Sequence, residues 1–152
     1  MARRKIIIII LAAVATLVCT AVRGQADERI LRFDSTIVVR EDGSLRVTEL
    51  ITVRGEGDRI KRGIYRDFPT MYRGVYGFNA VVPFTVVEVL RDGRPEAYHV
   101  EDIERGRRVY IGNESVFLDP DIYTYSLTYT TDFQLGFFDE YTELYWNVTG
   151  NG

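Results

Sequence analysis

One run of nine residues, Lys61-Arg62-Gly63-Ile64-Tyr65-Arg66-Asp67-Phe68-Pro69, gathers bases, an acid and aromatic rings. Arg62 and Arg66 could grip a carboxylate or phosphate through paired N–H donors while Tyr65 and Phe68 stack against whatever carries it. Arg62, Tyr65, Arg66 and Asp67 therefore form the candidate interaction surface. The simpler alternative is that Ile64, Tyr65 and Phe68 pin the segment to the domain while Arg66 and Asp67 satisfy each other and the backbone. Glu49 raises a different possibility, because it falls between Val47 and Ile51 in the inward register, opposite Ser35. A buried carboxylate must be paired, so Glu49 is either an anchor for an arginine and backbone amides or a site acid. With no second acid in view, we read Glu49 as a structural buried acid.

Other chemistries are thinly supplied. His99 is the one histidine and Cys19 the one cysteine, which excludes a zinc site, a Ser-His-Asp triad and a Cys-His dyad from the part beyond residue 26. Asp119, Asp121, Asp139, Glu140 and Glu143 could offer oxygens to Ca²⁺, but without the spacing of a calcium loop they read as solvated acids. Tyr123, Tyr125, Leu127 and Tyr129 alternate with Thr124, Ser126, Thr128 and Thr130. Such a row could stack on sugars or on another protein, and is more often the half-buried face of a sheet. Trp146, beside Tyr145 and Asn147, reads as a core or lid residue. Asn113-Glu114-Ser115 and Asn147-Val148-Thr149 are sequons that matter only in a glycosylating pathway. No catalytic residue, cofactor or metal ligand is assigned.

The elements that position these groups are strands. From Asp27 onward the period is two and no helical stripe is sustained, so the chain reads as all-β. Leu31, Phe33, Ile37 and Val39 share a face, as do Leu45, Val47, Ile51 and Val53. A two-residue turn would set these apolar sets on opposite faces; a three-residue loop, Glu41-Asp42-Gly43, pairs Val39 with Leu45, Ile37 with Val47, Phe33 with Ile51 and Leu31 with Val53. That register calls for a type I turn followed by a left-handed Gly43. Asp92-Gly93 reads as the same device, joining 84–91 to 94–100, with Pro95 marking the second strand as an edge. Further strands are expected at 107–111, 123–131 and 142–148. Seven short strands favour an antiparallel β-sandwich of immunoglobulin-like architecture over a barrel. The stretch from Gly55 to Phe78, rich in Gly, Arg and Tyr and without alternation, reads as a long functional loop.

Residues 1–26 form a separate unit, a signal peptide or signal anchor with an expected leader helix. Arg3, Arg4 and Lys5 precede an apolar run from Ile6 to Val22, and Gly24-Gln25-Ala26 offers a small-residue exit before Asp27. The run has seventeen residues, short of the roughly 20 that span a hydrocarbon core. Residues 27–152 are then expected outside the cytoplasm as one domain. Removing the leader's four bases (the three above and Arg23) from nineteen leaves fifteen against twenty-two acids, a net charge near −7. Such a balance argues against nucleic acid as a partner. Because the chain stops at Gly150-Asn151-Gly152 just after an apolar strand, the sandwich is expected to be incomplete and the chain a fragment.

Three segments together resemble a known family: Glu41-Asp42-Gly43-Ser44-Leu45-Arg46-Val47-Thr48-Glu49, Arg62-Gly63-Ile64-Tyr65-Arg66-Asp67-Phe68-Pro69 and Glu143-Leu144-Tyr145-Trp146-Asn147-Val148. In order and spacing the chain resembles the predicted membrane proteins called domain of unknown function 2207. The resemblance implies a leader, an extracytoplasmic β-rich domain, then transmembrane helices and a cytoplasmic tail. It implies no catalytic residues. The expectation is a non-catalytic sensing or interaction domain on the outer side of the cell membrane. It would be tethered by the leader and downstream helices and would meet an envelope polymer or protein. Two alternatives are a carboxylate-dependent envelope hydrolase using Glu49 with Asp67 or Asp139, and a structural spacer.

Overall fold

The computed structural model describes residues 27–73, 79–144 and 146. The leader, the second sequon and the chain end lie outside the described residues. Twelve strands make up the regular structure and no helix occurs among the described residues: β1 (Arg29–Val39), β2 (Leu45–Gly55), β3 (Gly63–Pro69), β4 (Met71–Arg73), β5 (Asn79–Val81), β6 (Phe84–Arg91), β7 (Arg94–Pro95), β8 (Tyr98–Ile103), β9 (Gly106–Gly112), β10 (Asp121–Thr131), β11 (Leu135–Phe137) and β12 (Thr142–Leu144). They pair as an antiparallel five-stranded sheet, β1-β2-β10-β6-β7, a three-stranded sheet, β3-β9-β8, and two small ribbons, β4-β5 and β11-β12. Both larger sheets are open, so no barrel closes.

The first hairpin keeps the register that the apolar pattern demands, with Val39 opposite Leu45, Ile37 opposite Val47 and Phe33 opposite Ile51. Its loop is Glu41-Asp42-Gly43: the Gly43 N–H donates to the Arg40 carbonyl at 3.0 Å and Gly43 sits at φ +83°. Beyond Phe33 the ladder slips. Val53 faces Ile30 and not Leu31, which is the extra residue of a β-bulge. A second bulge in β6 places Val87 between the residues facing Thr128 and Tyr129, so Phe84, Val86 and Val89 all reach the inward side despite their uneven spacing.

Inward residues of β2, β6 and β10 share one buried cluster with Phe68 of β3 and with Val109 and Ile111 of β9, so the two larger sheets contribute to a single core. Phe68 stacks on Phe84 at 4.5 Å and meets Tyr129 at 4.8 Å. Most of the tyrosine row is committed here: Tyr125, Leu127 and Tyr129 are buried and Tyr123 is half-buried against the core. Its opposite face carries hydroxyl pairs, Thr48 with Thr128 and Thr52 with Thr124, each at 3.1 Å. The alternation thus separates a hydroxyl-bearing face from the apolar face of the core.

Two expectations are corrected. Asp92 (φ +51°) and Gly93 (φ +75°) form a two-residue turn with Arg91 opposite Arg94, not a three-residue loop. The return strand is then split: β7 stays on the five-stranded sheet, and after Glu96-Ala97 the chain crosses to pair as β8 with β9. The stretch 55–78 is not a plain loop either, because it contains β3 and β4. Ile64, Arg66 and Phe68 face one side of β3, and the arginine at the middle inward position hides the apolar period.

Candidate functional site

Inside the domain, Glu49 and Arg66 lock β2 to β3. Arg66 donates from Nε to Glu49 Oε2 at 2.8 Å and from Nη2 to Oε1 at 2.9 Å, a two-pronged pair with a carboxylate only 1% exposed. The Tyr129 hydroxyl donates to the same Oε1 at 3.2 Å. Burial, and then the Glu49 charge, push that hydroxyl well above the usual phenol range. The Arg66 guanidinium lies between the rings of Phe33 at 5.1 Å and Phe68 at 5.3 Å. Ser35 faces Glu49 across the β1–β2 pair, yet its buried hydroxyl finds no partner among the described residues. With both carboxylate oxygens hydrogen-bonded inside the domain and the side chain buried, Glu49 is not presented to a substrate.

The opposite face of the three-stranded sheet is accessible. Register brings Tyr65, Tyr110 and His99 into one row and Asp67, Arg108 and Glu101 into the next. Tyr65 and Tyr110 are tilted neighbours at 6.0 Å, and His99 stacks on Tyr110 at 4.6 Å. Arg108 spreads over Tyr65 at 4.3 Å and grips Asp67 in a second two-pronged pair, at 2.6 and 2.7 Å. Those hydrogen bonds hold the Asp67 carboxyl below the usual carboxylate range, against the opposing effect of its partial burial. The row is a platform of rings with its ions already paired.

A groove of about 700 Å³ is lined by Tyr65, His99 and Tyr110 of this platform and by Arg59, Lys61 and Arg62. Two anchors hold the turn that carries these cations. Glu28, just before β1, accepts backbone N–H groups of Glu56, Asp58, Arg59 and Ile60 at 2.6 to 3.3 Å. Although its desolvation works the other way, these donors draw the Glu28 carboxyl down to about 2. On the other side the Lys61 carbonyl accepts from Leu118 N–H at 2.8 Å, and the Arg62 guanidinium covers the Phe117 ring at 4.1 Å. In the lining of the groove, Gly63 (φ +145°) faces Gly112 (φ +138°). A Cβ on Gly63 would lie 1.8 Å from the Ile111 carbonyl oxygen, so only glycine permits this close pairing.

Comparison with known proteins accords with this architecture. The family described as predicted membrane protein (DUF2207), N-terminal domain, matches residues 29–152. The chain belongs to that family. It is 31% identical over 125 residues to the Uncharacterized protein YciQ of Escherichia coli (strain K12), a match spanning 82% of this chain and 20% of that protein. The chain thus spans about a fifth of the length of the curated relative it matches. Among solved structures, native yeast LTA4 hydrolase superposes with a TM-score of 0.51 at 18% identity, over 71% of this chain and 15% of the hydrolase. That likeness is one of fold. Membership of DUF2207 places the chain among predicted membrane proteins.

The structure separates the residues that the sequence grouped. Tyr65 and Asp67 face outward from β3, Arg62 lines the same groove as Tyr65, and Arg66 points the other way into the core. Arg66 and Asp67 do not satisfy each other; each takes a partner from another strand, Glu49 and Arg108. Tyr110, Arg108 and His99 were not grouped with the surface by sequence, although a two-residue turn at Glu104-Arg105 sets their register. The signal was the alternation His99/Glu101 against Arg108/Tyr110. Trp146 packs against the core, 6.3 Å from Tyr129. Asp139 and Glu140 are exposed between β11 and β12, and among the described residues no three His, Cys, Asp or Glu side chains are grouped to hold a metal ion.

Proposed function

We propose that this domain is a non-catalytic sensing or interaction module of a membrane protein, lying on the extracytoplasmic side. We read its two larger sheets as a β-sandwich of immunoglobulin-like architecture. The reading rests on one observation: the Tyr65–Tyr110–His99 row is outward-facing, bordered by a groove, and rigidly supported by paired ions beneath and beside it. Rings fixed on strands give a binding surface little entropy to lose. The candidate acids speak for binding over hydrolysis. Glu49 and Asp67 lie on opposite sides of the β3 sheet and each is gripped by its own arginine, so they do not face a shared cleft as a general acid/base pair would. The leader's positive start and apolar run support export.

Two arms of one experiment test this in cells producing the full chain. With Cys19→Ser as background, Glu104→Cys in the exposed β8–β9 turn should react with a membrane-impermeant maleimide in intact cells; reaction only after lysis would contradict the sidedness. Envelope polysaccharide fragments should be retained by the parent chain and lost by Tyr65→Ala. Retention that ignores Tyr65 would place the binding surface elsewhere.

A further inference from the structure

We infer that the groove takes an anionic saccharide, with a sugar ring lying on Tyr65 and Tyr110 and its carboxylate or phosphate held by Arg59, Lys61 and Arg62; this rests on the binding face proposed above. The first observation is electrostatic. Arg59, Lys61 and Arg62 line the groove in a domain whose exported part carries a net charge near −7. None of the three forms an ion pair among the described residues, whereas Arg66, Arg91, Arg107 and Arg108 all do. Glu101 and Glu114 also line the groove, so its cations outnumber its acids three to two. Glu101 already faces His99 at 3.4 Å. Three exposed cations without ion-pair partners among the described residues are open to an arriving anion.

The second observation is the turn itself. Glu28 uses its carboxylate to fix the backbone of residues 56–60, and Phe117 lies flat under the Arg62 guanidinium. The backbone that carries the cations and the Arg62 head are therefore held before any ligand arrives, which lowers the entropy lost on binding.

The third observation selects the carrier of the anion. Tyr65, 57% exposed, has one face covered by Arg108 at 4.3 Å, and Tyr110 already carries the His99 ring at 4.6 Å, so a ligand meets an aromatic face from one side only. One apolar face suits a pyranose, which presents C–H groups on one side and hydroxyls on its rim. A nucleobase can also stack on one aromatic face, so a nucleotide is the competitor that the test includes. His99, Glu101 and Asn113 border the groove with donors and acceptors for hydroxyl groups.

The test uses the full 152-residue chain and three probes: an oligogalacturonate, its methyl-esterified neutral form, and adenosine monophosphate. Calorimetric titration should show the oligogalacturonate binding at least about tenfold more tightly than the ester, with affinity falling as salt rises. Lys61→Gln with Arg62→Gln should weaken the acidic probe about tenfold or more and leave the ester unchanged. Arg62→Lys, which keeps the charge, should restore part of the loss. Unfolding curves that match the parent's establish that these exposed substitutions leave the fold intact. Equal binding of acid and ester would overturn the anionic assignment, and if Tyr65→Ala weakened both, the binding face itself would stand. Tighter binding of adenosine monophosphate than of the oligogalacturonate would overturn the saccharide. Binding of neither sugar at millimolar concentration would overturn the inference, and retention of envelope fragments that ignores Tyr65 would remove the face as well.

Discussion

Arg66→Ala is the substitution whose cost follows most directly from the structure. It removes both guanidinium donors from a carboxylate that is 1% exposed and leaves the Tyr129 hydroxyl, at 3.2 Å, as the remaining donor among those described. Stripping the partner from a buried ion costs about 3–5 kcal/mol, a large part of the roughly 5–15 kcal/mol that stabilises an ordinary domain. The reverse substitution, Glu49→Leu, should cost less, about 1.5–3 kcal/mol, because the Arg66 side chain is 16% exposed and its head can turn towards water. Replacing both, as Glu49→Leu with Arg66→Met, removes the pair together with its desolvation cost and should return stability to within about 1 kcal/mol of the parent. Urea denaturation of the parent, Glu49→Leu, Arg66→Met and the double substitution, with the slope m unchanged, gives a coupling energy expected to exceed about 2 kcal/mol. Single losses each below about 1 kcal/mol that simply add would refute the buried lock.

Other consequences can be checked alongside. Glu28 has its carboxyl lowered from 4.5 to about 2, so its contribution is complete above pH 4.5 and is lost as pH falls towards 2. Protection of the amides of residues 56–60, taken relative to their intrinsic exchange at each pH, should fall across that window, and Glu28→Gln should show the lowered protection at neutral pH. The lowered Asp67 carboxyl gives the same sign, and because its pair with Arg108 is part-exposed, Asp67→Asn should cost at most about 1 kcal/mol by chemical denaturation. Gly63→Ala drives a Cβ against the Ile111 carbonyl in a backbone region costing about 1–3 kcal/mol before any collision, so thermal unfolding should move down by several degrees or the β3–β9 pairing should be lost.

How far the sequence reached depended on whether the decisive forces were local. The first hairpin was legible because its apolar sets agree with only one loop length, and that register also turned Glu49 inward. The partner of Glu49 was not legible as such. Arg66 lies on β3, which pairs with β9 some forty residues onward, and an arginine in an inward position spoils the apolar alternation by which a strand is read. The same ion pair therefore both stabilises β3 and conceals it. Sheet assignment failed at Pro95–Ala97 for a related reason: the crossing is set by where Glu96 N–H and the Ala97 carbonyl find partners, at Val89 and Gly112, and those contacts join different sheets. The outward platform was missed because His99 and Tyr110 meet across strands, although each alternates correctly within its own.

The most direct test of the account is an amide and side-chain NMR map of the full chain titrated with envelope polysaccharide fragments. The largest changes are expected at Tyr65, His99 and Tyr110 and along residues 59–62, with the hydroxyl-lined face of Thr48, Thr52, Thr124 and Thr128 unmoved. Changes centred on the threonine face, or none on the tyrosine row while the fragments bind, would contradict it.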